Sequence, residues 1–352
     1  MNNVQKLLDN IPKAIYLDDK GKFFILDQTK LPTEVVYEEQ TKIEQVYDSI
    51  YMLKVRGAPA IGIAGAYGLV LSLKDSVTLD LSLFVELVLK NAEYLDSSRP
   101  TAVNLNWALN RLSSIAKNFS KEGTSQDLFN LLKEEANNIH ESDIKTCKEI
   151  GLHGAELIKD NSGVLTLCNA GALATGGIGT ALAPMYIAWS KGRKFRAYSS
   201  ETRPLLQGAR ITCWELSKFG IDTTMIVDSV SSHLMSLGKV DLIIVGADRV
   251  ANNGDTANKI GTSSLAINAA HYGIPFYIAC PYSTIDTASK TGADIVVEER
   301  SSDELIYIKG QQVAPKNIKT FNPAFDVTSN TLIAGFITEK GIIRPPYNFI
   351  ES

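Results

Sequence analysis

From about residue 160 onward, short apolar runs recur along the chain: GVLTLC, KFRAYS, TTMIVD, VDLIIVGA, PFYIAC and ADIVVEE. Between most of them lie stretches with helical spacing, TALAPMYIAWSKG, LLQGARITCWELSKFG and TSSLAINAAHYG. A strand reached by way of a helix pairs parallel to its predecessor, because only a long crossover returns the chain to the same edge. The alternation therefore predicts an α/β fold, a Rossmann-like doubly wound parallel sheet. Such sheets bind ligands beyond the carboxyl ends of their strands, where the strand order reverses. The residues that follow each run then matter most: Cys168 and Asn169, Glu201, Asp228, Asp248 and Pro281.

The first part of the chain reads differently. AIYL and KFFILD flank Asp18-Asp19-Lys20-Gly21, a hairpin signal, and TEVVYE predicts a third strand. From residue 41 the spacing turns helical through IEQVYDSIYMLKV, APAIGIAGAYGLVLSL, LSLFVELVLKNAEYL and TAVNLNWALNRLSSIA, then DLFNLLKEEANNIHESDIKTCKEIGLHGAELI. The expected organisation is a mostly helical N-terminal α+β domain with a small antiparallel sheet over 1–145, and a Rossmann-like catalytic domain over 146–352. A chain of 352 residues is long enough for both.

Composition removes several function classes. With 21% charged residues and a net charge of −4, the chain has no electrostatic footprint for nucleic acid or an anionic membrane. Its longest apolar segment, near IGIAGAYGLVLSL, is short of a membrane span. MNNVQKLLDNIPK lacks the apolar core of a leader peptide, so a cytoplasmic location is expected. The four cysteines form no C-x-x-C pair and are expected to be free thiols. The four histidines show no H-x-x-x-H, and no metal is expected. Cys147, Cys213 and Cys280 read as small buried hydrophobes.

Cys168 stands apart, where a strand stops and the glycine- and alanine-rich NAGALATGGIGTALAP begins. A thiol facing a helix N-terminus feels the helix dipole, which favours thiolate; the alternative is a cysteine packed in a tight turn. Gly177-Ile178-Gly179 matches half of G-x-G-x-x-G, with Glu201 where a ribose-binding acid would stand. Leu182 occupies the place of the third glycine, however, and the glycines come late after the strand, so no nucleotide cofactor is expected. Asp248 ends an apolar run, which predicts a partly desolvated acid able to donate a proton; a helix cap or a partner for Arg249 is the plainer reading. Asn258 and Lys259 precede Gly261-Thr262-Ser263-Ser264, where a lysine and free N–H groups at a helix opening would make an anion site. Arg56 and Arg99 each precede a proline at a helix opening, and with Lys259 they suggest a phosphate-bearing ligand. Gly62, Gly65 and Gly68 leave one helix face bare for close packing. Glu201, Arg203 and Gln207 are placed to face one crevice, or Glu201 and Arg203 pair to fix the turn.

Taken together, VRGAPAIGIA, SSRPTAVNL, LTLCNAGALATGGIGTALAP, SSETRPLLQGARITCWEL, VGADRVANNGDTANKIGT, PFYIACPYSTID, VVEER and NPAFDVT resemble the methylthioribose-1-phosphate isomerase family. That family is related to the regulatory subunits of translation initiation factor 2B. The matching segments run in order from about residue 27 to 343. The resemblance implies an aldose–ketose isomerase of methionine salvage that converts 5-methylthioribose 1-phosphate to the ketose phosphate, without metal or nucleotide, as a homodimer. It implies Cys168 and Asp248 as the catalytic pair. It also implies substrate contacts from Arg56, Gly57, Ala58, Arg99, Gln207, Asn258 and Lys259. Two positions depart from the family's pattern: Leu167 where histidine is more usual, and Ser263 where an aromatic is common. They bear on the sugar's 5-substituent, which makes 5-deoxyribose 1-phosphate the rival substrate. A non-catalytic regulatory subunit is the rival from another class, although those relatives generally lack the cysteine–aspartate pair.

Overall fold

The computed structural model describes residues 8, 10–100, 102–120, 122–347 and 349. Most of the segment read above as lacking a leader lies outside them, as does Thr101. The chain divides into two compact units. One comprises Pro12–Thr146 and Ala172–Gly179; the other comprises the described residues up to Ile11, Cys147–Gly171 and Thr180 onward.

In the first unit, β1 (Ile15–Leu17), β2 (Phe23–Leu26) and β3 (Tyr37–Gln40) form an antiparallel sheet in that order. The predicted hairpin turn is closed by Asp18, whose Oδ1 accepts from the N–H groups of Lys20 and Lys22 at 2.9 and 2.8 Å. Helices α1 (Ile43–Tyr51), α2 (Ala58–Leu73), α3 (Leu81–Asp96) and α4 (Val103–Lys117) follow, then the long α5 (Ser125–Ala155). α2 is apolar all round and almost wholly buried, as its sequence requires. Its glycine face does meet other helices. A β-carbon on Gly62 would sit 2.8 Å from the Asn104 carbonyl oxygen, and one on Gly68 would sit 2.6 Å from Val46. Gly65 packs on Leu105 and Leu109, so α2 and α4 run parallel with their N-termini at one end.

The second unit holds a seven-stranded sheet. Its strands are β4 (Gly163–Thr166), β5 (Arg196–Ser200), β6 (Asp222–Ile226), β7 (Leu242–Val245), β10 (Phe276–Ala279), β15 (Gly335–Thr338) and β16 (Gly341–Ile343). Their order is β16-β15-β10-β7-β4-β5-β6, parallel except for the β15–β16 hairpin. β4, β7, β10 and β15 are buried along their whole length, the mark of parallel strands covered on both faces. Helices α6 (Ala183–Ser190), α7 (Cys213–Lys218), α8 (Ser231–Ser236) and α9 (Thr262–His271) lie along this part of the chain. One core joins Leu165, Ile243, Val245 and Phe276 to Leu234, Met235 and Leu265 of α8 and α9. Each such side chain contributes about 1.5–3 kcal/mol on burial. Smaller elements complete the unit: β8 (Arg249–Ala251), β9 (Thr256–Lys259), β11 (Ile285–Asp286) and β14 (Phe325–Thr328) form a second sheet. α10 (Asp303–Ile306) leads into the pair β12 (Tyr307–Ile308) and β13 (Gln311–Gln312).

One predicted strand is absent. ADIVVEE supplies the end of a 3₁₀ turn, Gly292–Asp294, and an isolated bridge from Glu299 to Pro323; Ile295 tucks against Ala251 and Ala257, while Val296 is 91% exposed. The place beside β10 in the main sheet is taken instead by β15, GFIT. Among the described residues no helix is long and apolar enough to cross a membrane.

Candidate active site

The strand order makes β4 the turning point of the sheet. β5 and β6 extend to one side; the chain then crosses back and lays β7, β10 and β15 on the other. The reversal falls between β4 and β7, which pair in parallel with Val164 beside Leu242 and Leu165 beside Ile243. Neighbouring strands lie about 4.8 Å apart, so the segments leaving their carboxyl ends begin side by side, at the crevice such sheets use for ligands. One segment carries Cys168 and the other Asp248. A β-carbon on Gly246 would sit 2.9 Å from the Ala170 side chain, so a glycine there lets the two segments pack closely.

Cys168 is half-buried and has φ +67°, a left-handed conformation that costs a side-chain-bearing residue about 1–2 kcal/mol. Two threonines hold it there. The Cys168 N–H donates to Thr202 Oγ1 at 2.9 Å, and its carbonyl accepts from the Thr212 hydroxyl at 2.5 Å. Thr202 is itself left-handed, and its N–H and that of Arg203 both donate to the Asp228 carboxylate at 2.8 Å. Beneath lies a buried network: Asn169 Nδ2 donates to Thr212 Oγ1 at 3.2 Å and to Glu215 Oε1 at 2.8 Å. Glu215 is fully buried and also accepts from the Tyr186 hydroxyl at 3.0 Å. Burial, reinforced by that carboxylate, pushes the Tyr186 phenol well above its ordinary range.

Although α6 begins only at Ala183, its N-cap residue Leu182 donates its N–H to the Ala170 carbonyl at 3.3 Å, so the chain returns the helix opening to a residue two positions from Cys168. One expectation for the pair needs correction. Asp248 is exposed rather than partly desolvated, because the chain steps out of β7 through Gly246 and Ala247 to start the β8–β9 hairpin. Its N–H donates to the Ala257 carbonyl at 2.9 Å. Arg249 pairs with Asp286 at 3.5 Å, and the Arg203 guanidinium donates to the Pro204 and Leu305 carbonyls rather than to Glu201.

Gln207 follows β5 and opens a π-helical turn, Gly208–Thr212, that continues as α7. A β-carbon on Gly208 would overlap the Ser200 carbonyl oxygen, so only glycine allows this turn to press on the end of β5. Gln207 is buried, and its Oε1 has no hydrogen-bond partner among the described residues. Such an orphaned acceptor is uncommon in a folded interior and marks a place for a ligand or water. Asn258 is buried with Nδ2 donating to Thr262 Oγ1 at 3.0 Å. Lys259 Nζ donates to the Ala324 carbonyl at 3.1 Å and lies 4.9 Å from the Phe325 ring centroid.

The anion site expected at the opening of α9 is already filled. Asp326 accepts from the Gly261 and Ser263 N–H groups at 2.8 and 3.0 Å. Burial holds this carboxyl above its usual range despite those bonds. The glycine loop is likewise satisfied internally: Thr175 Oγ1 accepts from Gly177 and Gly179, and Asp143 accepts from Gly176. Among the described residues no three His, Cys, Asp or Glu side chains gather as a metal-ligand set.

Arg56, Gly57, Ala58 and Arg99 belong to the other unit. Gly57 has φ +91° and approaches the Ala174 backbone where a β-carbon would overlap it. Arg56 precedes α2 and Arg99 precedes α4, so the parallel packing of these helices puts both arginines at the same end. Thr202, Thr212 and Glu215 are the site residues that motif reading missed; only the three-residue spacing of Thr212 and Glu215 on one helical run hinted at them.

The family model for the initiation factor 2 subunit family matches residues 54–345, and the chain belongs to that family. It is 50% identical over 323 residues to a methylthioribose-1-phosphate isomerase of Bacillus anthracis, covering 92% of this chain and 91% of the relative. It is 49% identical over 330 residues to a 5-deoxyribose 1-phosphate isomerase of Clostridium botulinum (strain Kyoto / Type A2), covering 94% of each. Its structure is similar to crystal structures of two proteins. One is 5-methylthioribose 1-phosphate isomerase from Pyrococcus horikoshii OT3, with TM-score 0.92 and 38% identity over 99% of this chain and 97% of that one. The other is the delta subunit of translation initiation factor eIF-2B from A. fulgidus, with TM-score 0.88 and 42% identity over 96% and 98%.

Proposed function

We propose that this protein is a sugar-phosphate aldose–ketose isomerase that converts 5-methylthioribose 1-phosphate to 5-methylthioribulose 1-phosphate, within methionine salvage. The observation that carries the reading is the delivery of Cys168 and Asp248 from adjacent parallel strands at the reversal of the sheet. The relatives at about half identity over nearly the whole chain, named as isomerases, support it.

The chemistry accounts for the residue types. In an aldose 1-phosphate the anomeric oxygen is esterified, so the ring cannot open as a free hemiacetal does. Ring opening breaks the bond between C1 and the ring oxygen, which must gain a proton. Asp248, exposed in the chain alone, supplies it as general acid once the bound sugar phosphate covers it and favours its protonated form. C2 is then oxidised from alcohol to ketone while C1 is reduced: one hydrogen passes from C2 to C1, and the C2 hydroxyl proton returns to the Asp248 carboxylate. Cys168 acts at these carbons, as a thiolate base through an enolate whose C1 oxygen keeps its phosphate, or by stabilising a direct hydride shift. Substrate deuterated at C2 separates the routes, by loss of label to solvent or its retention at C1. Gln207, Asn258 and Lys259 bind the sugar phosphate, and Arg56 and Arg99 act on the phosphate, with Gly57 and Ala58 offering backbone contacts. No cofactor takes part. The active form is a cytoplasmic homodimer, which sedimentation analysis checks.

The test is purified protein incubated with 5-methylthioribose 1-phosphate and 5-deoxyribose 1-phosphate side by side, followed by a ketose assay. Turnover of the first is expected. Turnover of 5-deoxyribose 1-phosphate alone transfers the reading to that substrate. Failure on both sugars leaves a regulatory subunit, the class of protein named by the similar eIF-2B delta structure, as the alternative.

A further inference from the structure

Of the non-glycine residues with positive φ among those described, three join in one hydrogen-bonded group: Cys168 at +67°, Thr202 at +66° and Leu206 at +58°. Cys168 donates its N–H to Thr202 Oγ1 at 2.9 Å, and Leu206 donates its own to the Thr202 carbonyl at 2.8 Å. Thr202 is the centre of the group and its most strained member, because a β-branched side chain fits the left-handed region worst. Strain of this kind persists only where the surroundings over-determine it, and it gathers at functional sites.

Asp228, two residues beyond β6, is what holds it. β5 and β6 pair in parallel with Ser200 beside Ile226, and Glu201 donates to the Ile226 carbonyl at 2.8 Å, so the segments leaving the two strands stay together. The Asp228 carboxylate then meets two successive N–H groups, one at each oxygen: Thr202 at Oδ1 and Arg203 at Oδ2, both at 2.8 Å. Bonds to a carboxylate are roughly twice as strong as neutral ones. With its backbone held, the Thr202 hydroxyl donates to the Ser200 carbonyl at 3.0 Å, which leaves a lone pair for the Cys168 N–H. Thr202 is 1% exposed, so these partners are not exchanged for solvent.

We propose that Asp228 is a positioning residue of the reaction: it fixes Thr202, and through the Thr202 hydroxyl it fixes the backbone that carries the Cys168 thiol. The role rests on the reading of Cys168 as the reacting thiol. Asparagine at position 228 offers one acceptor to two N–H groups and turns its own amide hydrogens toward the other. Thr202 is then released, and Cys168 loses one of its two clamps. One neutral clamp is worth about fivefold in the ratio of the left-handed conformer to its competitors and, from near balance, about threefold in its population.

The test is a double-mutant cycle on the full chain with Asp228→Asn and Thr202→Val. It is read by kcat on 5-methylthioribose 1-phosphate and by the rate at which iodoacetamide alkylates Cys168, located by peptide mapping. Thr202→Val keeps the Asp228 bonds and deletes only the hydroxyl. Each single variant should lower kcat about threefold, and the double variant also about threefold rather than about ninefold, because both break the same link. The alkylation rate should shift by one common factor in all three. Asp241→Asn is the control. Its carboxylate accepts from the Gly163 N–H at 2.8 Å, at the opposite end of β4, and its loss should leave Cys168 alkylation at the wild-type rate. A wild-type alkylation rate in Asp228→Asn, effects that multiply in the double variant, or an equal change in Asp241→Asn overturns the role. Residue-resolved hydrogen exchange of the wild-type protein needs no variant. The Cys168, Thr202 and Arg203 amides should open with similar protection, and a Cys168 amide about tenfold or more freer than the other two contradicts the link. Wild-type protein idle on both sugars removes the isomerase reading alone, since alkylation and exchange report the placement of the thiol without turnover.

Discussion

Replacing Thr212 by valine keeps the shape of a fully buried side chain and deletes one hydroxyl. That hydroxyl donates to the Cys168 carbonyl at 2.5 Å and accepts from Asn169 Nδ2 at 3.2 Å. Cys168 is left-handed at a cost of about 1–2 kcal/mol. Its two clamps, from Thr202 and Thr212, contribute about 1 kcal/mol each net, so together they roughly balance the strain. With one clamp gone the left-handed conformer falls short by about 1 kcal/mol, which lowers its ratio to its competitors about fivefold and its population about threefold. Thr212→Val should therefore lower kcat about threefold with KM little changed, because the lost conformer carries the thiol rather than the binding residues. The rate of Cys168 alkylation by iodoacetamide should change as well, a readout that a general loss of stability does not mimic below the unfolding transition. A variant with wild-type kcat and wild-type alkylation rate would refute the idea that the clamp holds the thiol in place.

Gly208→Ala places a β-carbon on the Ser200 carbonyl, and because backbone rather than a flexible side chain must yield, destabilisation of about 1–3 kcal/mol or more is expected in urea unfolding. A loss under 0.5 kcal/mol would show that the π turn is not pinned to β5. His140 gives a pH prediction: burial lowers its pKa, while Nε2 meets the Gly176 carbonyl at 3.0 Å and Nδ1 meets the Tyr67 hydroxyl at 3.0 Å. The carbonyl can only accept, so Nε2 carries the proton and Nδ1 accepts from Tyr67. Because the folded value lies below the unfolded one of about 6.5, the unfolded chain binds more protons in acid. Stability should be full above about pH 6.5 and fall as pH drops below it, with a shallower slope in His140→Gln; equal slopes would remove His140 as the cause.

The sheet was readable because its central strands are unbroken apolar runs. LIIV and FYIA are buried at every position, and nothing but a doubly covered strand accommodates them. ADIVVEE has the same β-branched character, yet its Val296 faces solvent, while GFIT, half small or polar, supplies the strand beside β10. Composition cannot separate these two, since the sheet's neighbours decide. The positions of Cys168 and Asp248 followed from strand ends alone, which is why motif and topology agree on them. Their surroundings did not follow. Thr202 and Thr212 reach Cys168 from 34 and 44 residues away, and Asp326 caps α9 from 63 and 65. Such pairings arise only when the crossovers bring distant loops to one edge. For the same reason the free N–H groups expected at Gly261 and Ser263 turned out to be occupied.

The most direct measurement is kcat for Cys168→Ser and Asp248→Asn, each shown by circular dichroism to be folded, on 5-methylthioribose 1-phosphate. Cys168 is half-buried and Asp248 exposed, both beyond the carboxyl ends of their strands, and both substitutions are nearly isosteric, so the fold should survive. The expected outcome is a loss of about a hundredfold or more in each variant, the usual contribution of a positioned acid or base. Turnover within a few-fold of wild type in either one would contradict a reaction carried out jointly by the thiol and the carboxylate.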